Sequence, residues 1–348
     1  MFRKHSDGHF CLVALIIFFV SQSVVFGREM APFRHPVGEK APDAFIPYMV
    51  SQPLDQANRK ISRLLISIHS SGFDAMQYFQ NARTAAAKFP GALPSTLIIA
   101  PQFFERPVAP VPIPDGLLYW QVSPFRGSGR GAVGPGEVSV NISAFEVMDR
   151  WLEELTESGR FPGLRDIVLV GHSAGGQFVQ RYAMVGKFEP PAKIRCRYVV
   201  SAPSGYAYAT GERFNPSTKQ ISIPDAAILA DCPEYNRWGH GLEEPFAYFA
   251  DTDSEMIAER YAKRYVFYLC GENDNDPNCE TMGRSCGAML QGRHRLERMQ
   301  WFAAYLRHHY GPTISRRHAF AVVPGVGHHG LGTMTSLAGR KFLFAPIR

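Results

Sequence analysis

The feature that most constrains the fold of this chain is a repeated alternation between short apolar runs and segments with helical character. The apolar runs are rich in Val, Ile and Leu and are bounded by Gly, Ser, Asp or Pro, as expected for buried strands. Helical segments separate most of them, and parallel neighbouring strands need such crossover connections. The pattern therefore predicts an α/β fold with a mostly parallel central sheet and helices on both faces. The predicted strands are 63–69, 96–100, 166–171, 197–201, 264–270 and 318–323.

Capping residues indicate where several of the helices begin. Asp74 is placed to cap the helix that follows the first predicted strand. Ser143 and Glu146 form a capping box before an amphipathic run that contains Trp151. The predicted helices are 74–89, 147–155, 177–185 and 288–307, with a closing helix after the last strand.

Two segments break the alternation. Residues 104–140 are rich in Pro and Gly and have no periodicity, so we expect a long loop there. Residues 206–262 carry many aromatic side chains among Pro and Gly and are predicted to be an insertion that leaves the sheet after the strand at 197–201. The insertion is expected either to shape a substrate cleft, as loops on a rigid scaffold often do, or only to pack as structure. Residues 28–348 are predicted to form one domain.

The N-terminal segment has the features of a secretory signal peptide. Arg3 and Lys4 precede an apolar run at 11–20, and a weaker stretch ends at Gly27, after which cleavage is expected. The apolar run is short for a hydrocarbon layer of about 30 Å, so an uncleaved anchor is the lesser alternative. We therefore predict a signal peptide at 1–27, a secreted or periplasmic protein, and no stable membrane span after cleavage.

The cysteines predict disulfide bonding rather than metal binding. An oxidising compartment favours one or two disulfides with at least one thiol left over. Cys279 and Cys286 are close enough in sequence to close a small loop, whereas Cys270 lies in an apolar strand and is expected to be buried. The spacings do not match a zinc site, so no metal is expected.

The charge balance argues against a nucleic-acid partner. Lys and Arg number 37 and Asp and Glu number 31, which gives a formal net charge of +6. The basic residues are spread along the chain without a long run, whereas nucleic-acid binding favours a concentrated basic surface.

One serine lies in a turn between a predicted strand and a predicted helix. The strand at 166–171 runs into Gly-His-Ser-Ala-Gly, in which Ser173 is the central residue, and a helix follows from about Gly176. Such a turn holds a Ser side chain clear of the sheet. The turn is tight, and a side chain at Gly171 or Gly175 would crowd it. The helix start offers N–H groups to a developing negative charge. We therefore predict that Ser173 is a nucleophile; the alternative is a Gly-rich turn with a passive serine.

In this motif and its setting the chain resembles the α/β-hydrolase superfamily over residues 63–329. The resemblance implies that the nucleophile, an acid and a histidine follow one another along the chain. The acid is expected on the loop after the strand at 264–270, where Asp274 is the first candidate and Asp276 and Glu272 are alternatives. Its role would be to orient the histidine and stabilise the imidazolium.

The resemblance places the histidine after the last strand. His328, in Gly-Val-Gly-His, is the expected general base, and His329 is the alternative. Imidazole suits this work because its unperturbed pKa of about 6.5 lies near working pH.

The resemblance also implies an oxyanion hole made of two backbone N–H groups. One is expected from Ala174, and the other from Ser71 in the loop after the strand at 63–69, with Ser70 left open. The superfamily often has His-Gly where this chain has His69-Ser70, which is a departure. His69 itself is expected to be a structural residue beneath the loop.

These residues together predict an exported serine hydrolase that works through an acyl-enzyme intermediate. The resemblance implies a carboxylic ester as the substrate, since exported members of the superfamily are often esterases, lipases or polyester depolymerases. The expected partner is a small-molecule or polymeric ester, and the chemistry needs no cofactor. A peptidase or amidase of the same fold is the nearest alternative. A binding protein that has kept the fold and lost catalysis is the other.

Overall fold

The computed structural model describes residues 29–123, 125 and 130–347, so the predicted signal peptide at 1–27 lies outside the described residues. The strands are β1 (Phe33–Pro36), β2 (Phe45–Val50), β3 (Arg63–Ile68), β4 (Thr96–Pro101), β5 (Phe104–Glu105), β6 (Leu118–Trp120), β7 (Arg130–Val133), β8 (Val138–Asn141), β9 (Asp166–His172), β10 (Arg195–Ser201), β11 (Arg213–Asn215), β12 (Gln220–Ser222), β13 (Tyr265–Gly271) and β14 (His318–Val323). The helices are α1 (Ala75–Ala87), α2 (Ala92–Ser95), α3 (Ala144–Glu157), α4 (Ala174–Val185), α5 (Ala226–Asp231), α6 (Ser254–Lys263), α7 (Cys286–Met289), α8 (Arg295–Tyr310), α9 (Gly330–Thr335) and α10 (Leu337–Phe344).

The central sheet of the described residues has eight strands in the order β1-β2-β4-β3-β9-β10-β13-β14. Every pair from β4 to β14 is parallel, and the antiparallel pairs are those of β2 with β1 and with β4 at one edge. The predicted mostly parallel sheet is therefore confirmed. The sequence patterns did not reveal β1 and β2, which lie within a Pro-rich segment and each contain a proline.

Helices cover both faces of the sheet, as predicted. In β9, Ile167 and Leu169 pack in a large core with Phe178 of α4, whereas Val168 and Val170 pack on the opposite face with α1 and α10. These strand residues are almost fully buried. A strand buried on both faces reads as a continuous apolar run because both sets of alternating side chains must be apolar.

The helix caps agree with the sequence. The Asp74 side chain accepts a hydrogen bond from Gln77 N, and the Ser143 side chain accepts one from Glu146 N. Each cap satisfies an N–H group that has no partner within the helix.

The predicted loop at 104–140 is wrong. Strands β5 to β8 form a second sheet in that order, within the part of the segment that the structure describes. Its strands are short, and Phe104, Tyr119 and Ala132 pack in a small core of their own. The strands were not visible in the sequence because each is only a few residues long and lies between Pro and Gly residues.

The single helix predicted at 288–307 is also wrong in its extent. The segment forms α7 and α8, and Gly292 between them has a φ of +130°. This φ is far from helical values, so the helix cannot continue through Gly292. A Cβ at this position would also lie 3.1 Å from Arg298 N. His294 then caps α8 by accepting a hydrogen bond from Glu297 N.

The predicted insertion at 206–262 contains the β11–β12 hairpin, α5 and α6. A disulfide joins Cys232, just after α5, to Cys286 at the start of α7, with Cα atoms 5.7 Å apart. The suggested pairing of Cys279 with Cys286 is therefore wrong, and Cys279 is a free thiol. Cys270 is buried, as predicted. Among the helices of the described residues, none combines the length and apolar character that a bilayer crossing requires.

Candidate active site

Ser173 occupies a strained turn between β9 and α4. Its φ of 56° and ψ of −120° lie in a region that residues other than glycine rarely adopt. Such strain persists where the surroundings enforce it and is concentrated at functional sites. The Ser173 N–H donates to Ser201 O at 2.9 Å, which ties the turn to β10.

The glycine at 175 is explained by a close approach of two chain segments. A Cβ at Gly175 would lie 2.5 Å from Ile68 O and 2.6 Å from His69 O, both backbone atoms at the end of β3. Neither carbonyl can move without disturbing the sheet. Glycine is therefore required for α4 to start this close to β3.

Three side chains that are far apart in sequence form one hydrogen-bonded chain. His328 Nε2 lies 3.0 Å from Ser173 Oγ, and His328 Nδ1 lies 2.7 Å from Asp274 Oδ2. Ser173 and Asp274 are buried, whereas the His328 side chain is 23% exposed. Because a carboxylate only accepts, Nδ1 carries the proton and Nε2 is free to accept the Ser173 hydroxyl proton.

The alternative residues have other partners. Glu272 Oε2 accepts a hydrogen bond from Gly325 N, and Asp276 Oδ1 accepts one from Asn278 N. His329 caps α9 through its Nδ1, which accepts from Gly332 N. These contacts shape turns and a helix start, so they give the alternatives local structural roles.

Arg295 is a residue that sequence reasoning missed. Its side chain is fully buried, and its Nη1 lies 3.4 Å from Asp274 Oδ1, the oxygen that does not contact His328. Its Nη2 donates to Thr281 O at 2.8 Å and to Thr281 Oγ1 at 2.9 Å. Arginine within a predicted helix is typical of a surface position, so the sequence carried no signal for this contact.

We expect Arg295→Gln to lower kcat by about tenfold with little change in KM, because the Asp274 carboxylate loses the cation that holds its second oxygen. Arg295→Lys is expected to recover part of the loss, since it restores the charge without the planar fork. Steady-state kinetics with a soluble ester would measure both. The matched control is Arg307→Gln, an exposed position on the same helix. Equal effects on kcat from Arg295→Gln and Arg307→Gln would contradict a positioning role for Arg295.

A second imidazole lies against His328. The rings of His172 and His328 have centroids 4.5 Å apart at an interplanar angle of 33°. Burial lowers the pKa of His172 well below 6.5, with a smaller effect from the nearby His328. His172 Nδ1 lies 3.0 Å from Ser201 Oγ, which donates in turn to Thr333 Oγ1. The His172 ring is therefore neutral and is held in place against the His328 ring.

The two predicted oxyanion donors border the same space as Ser173. Ser71 and Ala174 both line the cleft described below. Ala174 is the first residue of α4, so its N–H has no partner within the helix. Ser70 does not line the cleft. Its oxygens close the turn at 70–73, in which Ser70 O accepts from Phe73 N and Ser70 Oγ accepts from Gly72 N.

His69 holds the base of this loop. Its Nδ1 donates to Ser70 O at 2.8 Å, and its Nε2 accepts from Phe103 N at 2.9 Å. The ring is fully buried, and burial lowers its pKa to about 4. The imidazole is thus neutral, and the contacts fit the structural role expected of it.

The buried neutral His69 predicts a pH dependence of stability. Its folded pKa of about 4 lies below the value of 6.5 for an exposed histidine, so between these limits only the unfolded chain binds the proton. The free energy of unfolding is therefore unaffected above pH 6.5 and falls as the pH drops towards 4, by about 1.4 kcal/mol per unit for one such histidine. His69→Gln, which keeps a donor and an acceptor, is expected to reduce this slope by about that amount. Urea unfolding at pH 7, 6 and 5 measures both slopes, and parallel curves would refute the assignment.

Ser173 opens into a cleft of about 430 Å³. One wall comes from the predicted insertion and from the chain just before it, and an adjacent wall comes from residues that follow Asp274. Arg298, on the same helix as Arg295, donates to Gly283 O and Ser204 O and so ties both walls together. The polar residues that line the cleft include Ser71, Ser123, Gln177, Ser204, His240, Glu280, Thr281 and Ser285.

The described residues contain no group of three or more His, Cys, Asp or Glu side chains arranged to hold a metal ion. The site is built from an alcohol, an imidazole and a carboxylate in hydrogen-bonded sequence. Such an arrangement can remove a proton from the alcohol during attack on a carbonyl group.

Comparison with known proteins supports the fold. No model of a known protein family matches the chain, and no curated protein sequence matches it. A poly(aspartic acid) hydrolase from Sphingomonas sp. KT-1 is similar in structure, with a TM-score of 0.57 and 18% identity over 91% of this chain and 98% of that one. A poly(3-hydroxybutyrate) depolymerase from Bordetella parapertussis has a TM-score of 0.53 and 19% identity over 86% of this chain and 85% of that one. The chain has the α/β-hydrolase fold, as predicted.

Proposed function

We propose that this protein is an exported serine hydrolase that cleaves a carboxylic ester through an acyl-enzyme intermediate. The observation that carries the proposal is the chain of hydrogen bonds from Asp274 through His328 to Ser173, with distances of 2.7 and 3.0 Å. The strained backbone at Ser173 supports it independently, since a passive serine gives no reason for such a conformation.

In the acylation step, Ser173 Oγ attacks the ester carbonyl carbon while its proton passes to His328 Nε2. The tetrahedral intermediate then expels the alkoxide, which takes that proton from His328 and leaves as the alcohol. Asp274 stays ionised throughout, keeps the proton on Nδ1 and stabilises the transient imidazolium. The acyl group remains on Ser173 as an ester.

In the deacylation step, water takes the place of the alcohol. His328 removes a proton from the water as it attacks the acyl carbon, and the same proton returns to Ser173 Oγ as the carboxylic acid leaves. The N–H groups of Ala174 and Ser71 stabilise the negative oxygen in both steps. The proposed acylation and deacylation steps use no cofactor.

We assign the hydrolase to residues 28–348 as one domain and residues 1–27 to a signal peptide. The Cys232–Cys286 disulfide supports an oxidising compartment, because such bonds are rare in the reducing cytosol. The proposed location is therefore extracellular or periplasmic.

A peptidase or amidase is the second candidate. It is favoured by the poly(aspartic acid) hydrolase among the structural neighbours, whereas the poly(3-hydroxybutyrate) depolymerase favours an ester. An amide nitrogen is a poorer leaving group than the alcohol oxygen of an ester, so its departure depends more on protonation by His328. Rates on an ester and an amide with the same acyl group would decide between them.

The proposal is tested by labelling with a fluorophosphonate probe, which reacts with an activated serine. We expect the folded wild-type protein to be labelled at Ser173 and to hydrolyse at least one member of a series of esters that differ in acyl length. A folded protein that stays unlabelled would instead favour a binding protein that has lost catalysis.

A further inference from the structure

A second groove, of about 800 Å³, lies beside the proposed catalytic cleft. It is bounded by the β11–β12 hairpin, by α5 and by the outer surfaces of α7 and α8, and we call it the hairpin groove. Its floor carries an aromatic pair, Phe214 and Trp301, whose ring centroids lie 5.0 Å apart at an interplanar angle of 38°. Both rings are half-buried and line the groove, so part of their surface is available to a ligand.

The rim of the hairpin groove exposes large apolar side chains. Ile228 is 37% exposed and Met289 is 44% exposed, and Ile223 next to the hairpin is 53% exposed. Helix α5 has the sequence Ala-Ala-Ile-Leu-Ala-Asp, yet none of its residues is buried. Exposed apolar side chains around one groove are typical of a ligand-binding surface.

The charges around the hairpin groove nearly cancel. Arg293 pairs with Glu297 at 3.1 Å, and exposed Lys219 and Asp225 carry opposite charges. Arg213 is buried beneath the groove and donates to backbone carbonyl groups. A polyanion would have to lay its charges against apolar side chains. The lining therefore favours an uncharged ligand.

Hydrogen-bonding groups lie among the apolar ones. Ser217, Thr218 and Ser222 on the hairpin bring hydroxyl groups to the groove, and Lys219 brings an ammonium group. These groups can donate to carbonyl oxygens. A polymer in which short apolar units alternate with ester carbonyl groups matches both the apolar side chains and the hydrogen-bond donors of the groove.

The hairpin groove and the cleft share a wall, the single turn of helix α7. Ala288 lines the cleft and the adjacent Met289 lines the groove. Arg213 beneath the groove donates to the carbonyl oxygen of His240, which lines the cleft, at 3.0 Å. A helix with its side chains is about 10–12 Å across, so a ligand in both spaces must be an extended chain rather than a single ester unit.

We propose that the hairpin groove binds the uncleaved part of an uncharged polyester chain whose scissile ester lies at Ser173. The inference rests on the proposed ester hydrolysis and adds to it a polymeric substrate and a second binding site. The Cys232–Cys286 disulfide joins the end of α5 to α7 and so fixes the groove relative to the cleft.

The test compares a polymer with a small ester. Trp301→Ala and Ile228→Asn are each expected to lower the hydrolysis of poly(3-hydroxybutyrate) particles by about tenfold, since aromatic and aliphatic side chains dominate such contacts. Both variants should hydrolyse p-nitrophenyl acetate at the wild-type rate, because that ester fits within the cleft. Ile228 is exposed, so its substitution keeps the test valid if Trp301→Ala fails to fold.

The matched control is Phe33→Ala. Phe33 is 43% exposed and forms a tilted pair with Tyr48, with centroids 5.6 Å apart at 40°, but it lies on the edge strand β1. We expect this variant to retain full activity on the polymer. Adsorption to the particles, measured in the Ser173→Ala background, reports binding separately from hydrolysis.

The outcomes separate the inference from the proposed function. Unchanged adsorption and polymer hydrolysis in both groove variants would overturn the inference, even with normal hydrolysis of p-nitrophenyl acetate. A change in sedimentation mass without a change in adsorption would also overturn it and would make the groove an interface between copies of the chain. Adsorption that depends on Trp301 in a protein without esterase activity would uphold the groove and refute the proposed function.

Discussion

Ser173→Ala is expected to lower kcat on any ester substrate by at least about 10⁴-fold, because the variant has no nucleophile to form the acyl-enzyme. The remaining rate would come from a bound water molecule and the oxyanion donors alone. Labelling by the fluorophosphonate probe should be abolished. Stopped assays over long times would measure the residual rate.

The fold should survive this substitution. Ser173 holds the turn through its backbone N–H, which donates to Ser201 O, and that bond is independent of the side chain. Circular dichroism and the unfolding temperature should therefore match those of the wild type. Ser315→Ala, at an exposed position remote in sequence, is the matched control and should keep full activity. Substantial labelling of a folded Ser173→Ala protein would assign the nucleophile to another residue.

Asp274→Asn is expected to lower kcat by about 10³- to 10⁴-fold while the protein stays folded. An Asn side chain can donate to His328 Nδ1 and so favour the tautomer whose proton lies on Nε2. That tautomer cannot accept the Ser173 proton, and the imidazolium also loses its counter-charge. The matched controls are Asp276→Asn and Glu272→Gln, two substitutions on the same loop.

These controls are expected to keep kcat within about threefold of the wild type, because both carboxylates contact backbone N–H groups of turns. Steady-state kinetics with p-nitrophenyl acetate measures all three variants. A larger loss from Asp276→Asn than from Asp274→Asn would move the acid to Asp276.

The sequence by itself determined the features that depend on neighbouring residues. The strand at Asp166–His172 is recognisable as an apolar run. The Asp74 and Ser143 side chains cap their helices by contacts three residues further along the chain. The turn at Ser173 is likewise encoded locally by small residues on either side. Local signals of this kind suffice to predict the sheet, the helices on both faces and a candidate nucleophile.

The tertiary structure alone decided which distant groups meet. Ser173 and His328 are 155 positions apart, and the choice among Glu272, Asp274 and Asp276 depends on which one the register of β13 and β14 turns towards the imidazole. The contact of Arg295 with Asp274 was invisible for the same reason.

The corrections to the fold have related causes. The predicted helix at 288–307 is interrupted at Gly292, whose φ is not helical, so α8 begins only at Arg295. The strands of the small second sheet are too short to show an alternating pattern. Cys286 pairs with Cys232 rather than with nearby Cys279, since sulfur atoms must meet in space and closeness in sequence does not ensure it. Local physics thus specified the elements, and the packing of those elements specified the contacts between them.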